Sequence, residues 1–125
     1  MSNDTDTVDT RLSHLHCFTG TENWYRHAFV RSITFTDGAK YVADQVGAYW
    51  LLDEIALANR YDATVQREEF QAWTLTVRPD TRATLRCEDG NGGEVLAKEL
   101  DYTDFPAPGI TLWFCNHVIM LPTEY

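Results

Sequence analysis

From Phe70 onward the chain is cut into short segments by turn formers, and this spacing constrains the fold more than any other feature. The interruptions are Arg78-Pro79-Asp80-Thr81, Asp89-Gly90-Asn91-Gly92-Gly93, Pro106-Ala107-Pro108-Gly109 and Asn116-His117. The segments between them are too short for stable helices and long enough for strands. Phe70 to Val77 alternates Trp73, Leu75 and Val77 with Ala72, Thr74 and Thr76, and Ala83, Leu85 and Cys87 alternate with Arg82, Thr84 and Arg86. Such period-two patterning suits a strand with one buried face. The glycine-rich 89–93 segment predicts a hairpin. Residues 94–102 follow as a strand in which Lys98 shares the face of Leu96, Leu100 and Tyr102, so Lys98 must snorkel or a bulge must reset the register. Ile110–Phe114 and Val118–Leu121 are two further strands, with Asn116 and His117 as residues that tolerate left-handed φ between them.

Upstream, Ala39 to about Asn59 contains no proline and carries a wide apolar stripe of Val42, Val46, Tyr49, Leu52, Ile55 and Ala56. It predicts one long helix, entered through Thr36-Asp37-Gly38 and lying against a sheet. A first helix is expected from Asp6, with Val8, Leu12 and Leu15 on one face and Gly20 as its stop. Residues 24–35 suit a short strand or an extended connection, and residues 1–5 are expected to fray. The expected fold is α+β: one or two helices packed on one face of a four- or five-stranded antiparallel meander. At 125 residues and 44% apolar composition, residues 1–125 form one domain with an adequate core.

The net charge of −9 is unevenly placed. Residues 10–87 balance nine acids with nine bases, whereas residues 88–125 hold seven acids and only Lys98. An acidic face repels nucleic acid and anionic membrane and attracts basic protein surfaces. The expected partner-binding residues are Asp89, Glu94, Glu99, Asp101 and Asp104. The competing reading is a solvated acidic sheet edge that discourages aggregation.

Phosphate-binding loops, dinucleotide fingerprints, nucleophile elbows, HExxH and EF-hand loops are absent from the sequence. His14 and Cys17 with Cys115 and His117 would make a zinc set if the chain ends met, and Cys17 or Cys115 beside a histidine could be a nucleophile. Glu99, Asp101 and Asp104 could hold Mg²⁺ or Ca²⁺. Buried thiols and exposed acids are the commoner arrangements, and no metal or cofactor is expected. Arg78, Arg82 and Arg86 are the only basic group able to support nucleic-acid stacking, and the overall charge opposes it. Trp50 and Trp73 are expected in the core; an exposed Trp24 or Trp113 would mark an interface. Three scattered cysteines, no apolar leader and no apolar run long enough to span a bilayer predict a cytoplasmic protein with reduced thiols.

The segments FTGTENWYRH (18–27), TDGAKYVADQVGAYWLLDEIA (36–56), FQAWTL (70–75), DYTDFP (101–106) and LPTEY (121–125) together resemble an uncharacterised family of small proteins encoded by phages, plasmids and integrative elements. The resemblance implies a mobile-element context and supplies no reaction. With the charge, it leads to the expectation of a non-enzymatic binding module. Its sharpest form is an anti-CRISPR-like inhibitor occupying the basic nucleic-acid surface of a CRISPR effector or another host defence complex. A small metal- or thiol-dependent enzyme and a homodimeric accessory protein are the alternatives.

Overall fold

The computed structural model describes residues 11–125. Its elements are β1 (Trp24–Arg26), β2 (Thr34–Thr36), α1 (Asp37–Val46), α2 (Tyr49–Tyr61), α3 (Ala63–Gln66), β3 (Phe70–Val77), β4 (Ala83–Asp89), β5 (Glu94–Leu100), β6 (Gly109–Cys115) and β7 (Val118–Met120). Residues Leu15–Cys17 and Pro122–Glu124 form single 3-10 turns. Among the described residues no helix is long and apolar enough to cross a membrane.

The α+β class holds, but the sheet is larger than the meander expected. Seven strands lie in the order β1-β2-β7-β6-β3-β4-β5. Only the β3-β4-β5 run follows the expected meander, three strands of the four or five. After β5 the chain crosses back to place β6 on the other side of β3. The β7 strand pairs antiparallel with β6 and parallel with β2, so the sheet is mixed. Strands of three residues in β1, β2 and β7 carry almost no periodicity, and they are fixed by pairing across the chain, not by local pattern.

The single long helix is also corrected to two. Thr36 caps α1, its hydroxyl accepting the Ala39 N–H at 3.2 Å. Gly47, the one internal glycine, ends the helix in the left-handed region at φ 65°, and the Ala48 N–H reaches back to the Ala43 carbonyl at 2.9 Å. That six-to-one bond closes a Schellman motif. The redirected α2 buries Leu51, Leu52, Ile55 and Ala56, each large side chain contributing about 1.5–3 kcal/mol on burial. Trp50 is only half-buried at the core margin, whereas Trp73 is fully buried.

The first helix is not present in the described part. Asp6, Val8 and Asp9 lie outside the described residues; Leu12 sits in a turn, and Phe18 leaves the 3-10 turn in extended conformation to set its ring 5.1 Å from Tyr41.

One side of the sheet carries the helices. Trp73, Leu75, Val77, Ala83, Leu85, Cys87, Leu112 and Phe114 are buried on it. Gln71, also fully buried there, donates to the Asn59, Val65 and Glu68 oxygens and accepts from Asn59 and the Trp73 indole. Lys98 pairs with Leu85 on this side and reaches the rim to meet Glu54 of α2 at 3.0 Å. It therefore snorkels; the bulge lies further along, at Cys87/Glu88. No α-helix of the described residues lies on the other side, which stays half-buried or exposed at most positions.

Candidate functional site

The carboxylates expected to bind a partner are distributed along the β4–β5 end of the molecule, and several have internal duties. Asp89 accepts the backbone N–H groups of Gly93 at 2.8 Å and Asn91 at 2.9 Å, which clamps the hairpin and holds its carboxyl below the usual range. Glu94 meets Arg86 at 2.8 Å. Glu99 accepts from Thr84 at 2.7 Å and from Arg78 at 3.0 Å, and these bonds, the Thr84 one foremost, lower its pKa. Arginines from the middle of the chain thus offset two of the five acids, an effect read only from the strand register that brings Arg78 and Arg86 beside β5. Asp101 and Asp104 are exposed and make no ion pair among the described residues. They flank Tyr102, itself 67% exposed, on a loop anchored by buried Thr103 and Phe105. The Thr103 N–H donates to the Thr81 carbonyl at 2.8 Å, and the Thr103 hydroxyl accepts the Phe105 N–H at 3.1 Å.

Two further acids, Asp37 and Glu124, are committed to hydrogen bonds around the N-terminus of α1. The Asp37 carboxylate accepts from the Glu22 and Asn23 N–H groups, the Asn23 amide and the Tyr25 hydroxyl. Those bonds, led by the Glu22 N–H, pull its pKa down to about 2. Glu124 accepts from the Thr36 hydroxyl at 2.6 Å and the Leu121 N–H at 2.9 Å on Oε1, and from the Gly38 N–H at 2.9 Å on Oε2. A Cβ on Gly38 would stand 2.6 Å from Glu124 Oε1, so the glycine keeps the approach open. His27 is buried; its Nδ1 accepts the Phe29 and Val30 N–H groups, which fixes the donor on Nε2, 2.8 Å from Asp53. These three locks explain Thr36, Asp37, Gly38, Asn23, Tyr25, His27 and Glu124 as determinants of the fold.

The metal and thiol candidates do not converge. No group of three or more His, Cys, Asp or Glu side chains able to hold a metal occurs among the described residues. Cys17 is exposed next to His16, Cys115 is half-buried on β6, and Cys87 is buried. Burial, reinforced by Glu68, pushes the Cys87 thiol up to about 12, an unreactive state. A cleft of about 810 Å³ lies between the α2–α3 corner and the β6–β7 turn, lined among others by Ser32, Arg60, Tyr61, Glu68, Glu69 and His117. Asn116 and His117 hold φ 53° and 64° in that turn, as their residue types suggest. Ser32, His117, Glu68 and Glu69 are not hydrogen-bonded to one another, so the cleft does not present an assembled nucleophile and base.

The helix-free sheet side has a different character at its two ends. Toward β5 it bears the Thr84, Arg78, Arg86, Glu94 and Glu99 ladder. Toward β1 it bears aromatic and thioether side chains. Phe70 and Trp113 meet edge-on at 5.0 Å, Trp113 and Tyr125 at 5.5 Å, and Phe70 and Tyr125 at 6.5 Å. Tyr125 is 76% exposed and Trp24 58% exposed. Between them a groove of about 310 Å³ is lined by residues that include Val118, Met120, Cys115 and Glu124. Exposed aromatics on a rigid sheet are the usual material of a protein interface. The sequence signalled Trp24 and Trp113 as possible interface residues; Met120 and Tyr125 gave no such signal, because only the β2–β7 pairing brings them beside Trp24.

A search of curated proteins found no match to the chain, and a search of solved structures found none. A protein family described only as a family of unknown function matches residues 9–125. By that match, which spans nearly the whole sequence, the chain belongs to the family of unknown function DUF6876.

Proposed function

We propose that this protein is a non-enzymatic binding module that docks a basic protein surface across the helix-free side of its sheet. One observation carries the reading: that side exposes Trp24, Tyr125 and the edge of the Phe70–Trp113 pair on a framework whose strands are locked in place. Aromatic anchors supply contact area at low entropy cost, and a net charge of −9 steers a cationic partner toward them. Asp101 and Asp104, beside exposed Tyr102, form an acidic rim at the far end of the sheet. Of the acids expected from sequence, Glu94 and Glu99 contribute less than their charge suggests, because Arg86 and Arg78 offset them. The mobile-element resemblance makes the cationic nucleic-acid channel of a host defence complex the partner to test first.

The test is retention of purified CRISPR effector complexes and host lysate proteins on the immobilised module. Trp24→Ala with Tyr125→Ala should abolish retention of the specific partner. Asp101→Lys with Asp104→Lys should weaken it several-fold and flatten its salt dependence. Circular dichroism and melting establish that the variants are folded. A partner retained equally by all three proteins refutes the surface, and failure to retain any protein refutes the module.

A further inference from the structure

The groove between Trp24 and Tyr125 is more selective than a general aromatic patch, and its chemistry narrows the occupant. Its two lips are exposed aromatic rings, its lining includes the apolar side chains of Val118 and Met120, and Glu124 supplies a carboxylate. Among the described residues no lysine or arginine lines it. Tyr125 makes edge-on contacts with Trp113 and Phe70, which support that lip. Trp24 stands on an edge strand paired through Trp24↔Thr36.

The carboxylate is not saturated. Two oxygens offer about four acceptor positions. Thr36 and Leu121 occupy Oε1, and only the Gly38 N–H reaches Oε2. Among the described residues one acceptor position on Oε2 is therefore unused, and Glu124 makes no ion pair with any of them. A slot with aromatic walls, a lining that mixes Val118 and Met120 with the polar Thr21, Thr36 and Asn116, and a fixed anion suits a flat cation on an aliphatic stem. A guanidinium stacks on aromatic faces and is more weakly hydrated than an ammonium. A volume of about 310 Å³ is adequate for one such side chain and too small for a folded segment.

We propose that this groove is an arginine-side-chain site, the point where a basic partner inserts one arginine. The inference rests on the binding-module reading and specifies its anchor. It is tested on the isolated protein, with acetyl-arginine-amide as probe and the neutral isostere acetyl-citrulline-amide as control. The readout is the Trp24 indole N–H resonance, identified as the one missing from the Trp24→Phe spectrum. Acetyl-arginine-amide should shift it saturably in the millimolar range, and citrulline should bind roughly tenfold more weakly. Tyr125→Ala, which removes an exposed ring, should weaken arginine binding by a similar factor. No shift at 50 mM probe, on the order of ten times the affinity expected for a single side chain, overturns the assignment, as does an equal response to citrulline. A Trp24/Tyr125-dependent partner that is retained without such a shift would leave the binding module standing and sink the arginine site alone.

Discussion

Replacing Glu124 by glutamine changes one oxygen for an amide nitrogen and removes a charge, so its cost can be worked from the three bonds Glu124 accepts. In Glu124→Gln the amide oxygen can take the place of Oε1 and keep the Thr36 and Leu121 donors. The NH₂ group then faces the Gly38 N–H, and two donors oppose each other. Gly38 is buried, so water cannot replace the lost acceptor. An unsatisfied buried donor costs about 1–3 kcal/mol. Loss of a negative charge at the start of α1 adds about 0.3–1 kcal/mol. The sum is about 1.3–4 kcal/mol, which for a domain of this size lowers Tm by roughly 5–16 °C. Glu124→Ala should cost more, because it strands all three donors. In a double-mutant cycle with Thr36→Val the two losses should be less than additive, since they share a bond. Urea titration and thermal melting at neutral pH measure both. A Glu124→Gln protein within about 0.5 kcal/mol of the parent would refute the lock and leave Glu124 as a surface residue of the groove.

Other outcomes follow from single positions. Gly109→Ala should prevent folding or cost more than about 3 kcal/mol, because a Cβ there would lie 1.8 Å from the Leu75 carbonyl oxygen at φ 115°; a soluble variant with a parental melt contradicts the β3–β6 register. Thr81 holds φ 70°, an unfavourable region for a β-branched residue, so Thr81→Asn should raise stability by about 1 kcal/mol in urea titration. The folded-state pKa of Asp37, lowered to about 2, lies below the unfolded value, so its contribution is present above about pH 4 and is lost as pH falls toward 2. Asp37→Asn should accordingly be less stable at neutral pH and show a shallower loss of stability across that acid window than the parent; parallel curves would exclude the network around Glu22, Asn23 and Tyr25 as its cause.

The three-stranded β3–β4–β5 run and its turns were legible because each signal is local. The Asp89–Gly93 hairpin, the Asn116-His117 turn, the β3 and β4 alternation and the Thr36 cap each depend on a few adjacent residues. What was not legible depends on who meets whom. Gly47 reads as a tolerated helical glycine until its left-handed φ is seen to redirect the chain. The parallel β2–β7 pair joins segments with three-residue patterns, too short to announce themselves. The surroundings of the acidic surplus were hidden for the same reason: charge along the sequence does not show that Glu94 and Glu99 stand beside Arg86 and Arg78, or that Asp37, Asp89 and Glu124 are engaged with backbone N–H groups. Lys98 was half legible; its awkward position was clear and its partner on α2 was not.

The pairing of β2 with β7 also orders events during synthesis. Thr36 and Glu124 are 88 positions apart, and β1 reaches the rest of the sheet only through β2. A nascent chain that has made β3, β4 and β5 can assemble that meander at once, while the Trp24–Arg26 and Thr34–Thr36 pair has no strand of the remaining sheet to join until Val118–Met120 leaves the ribosome. The aromatic groove consequently takes shape only after residues 118–125 have been made, and any ligand it takes must wait for that segment.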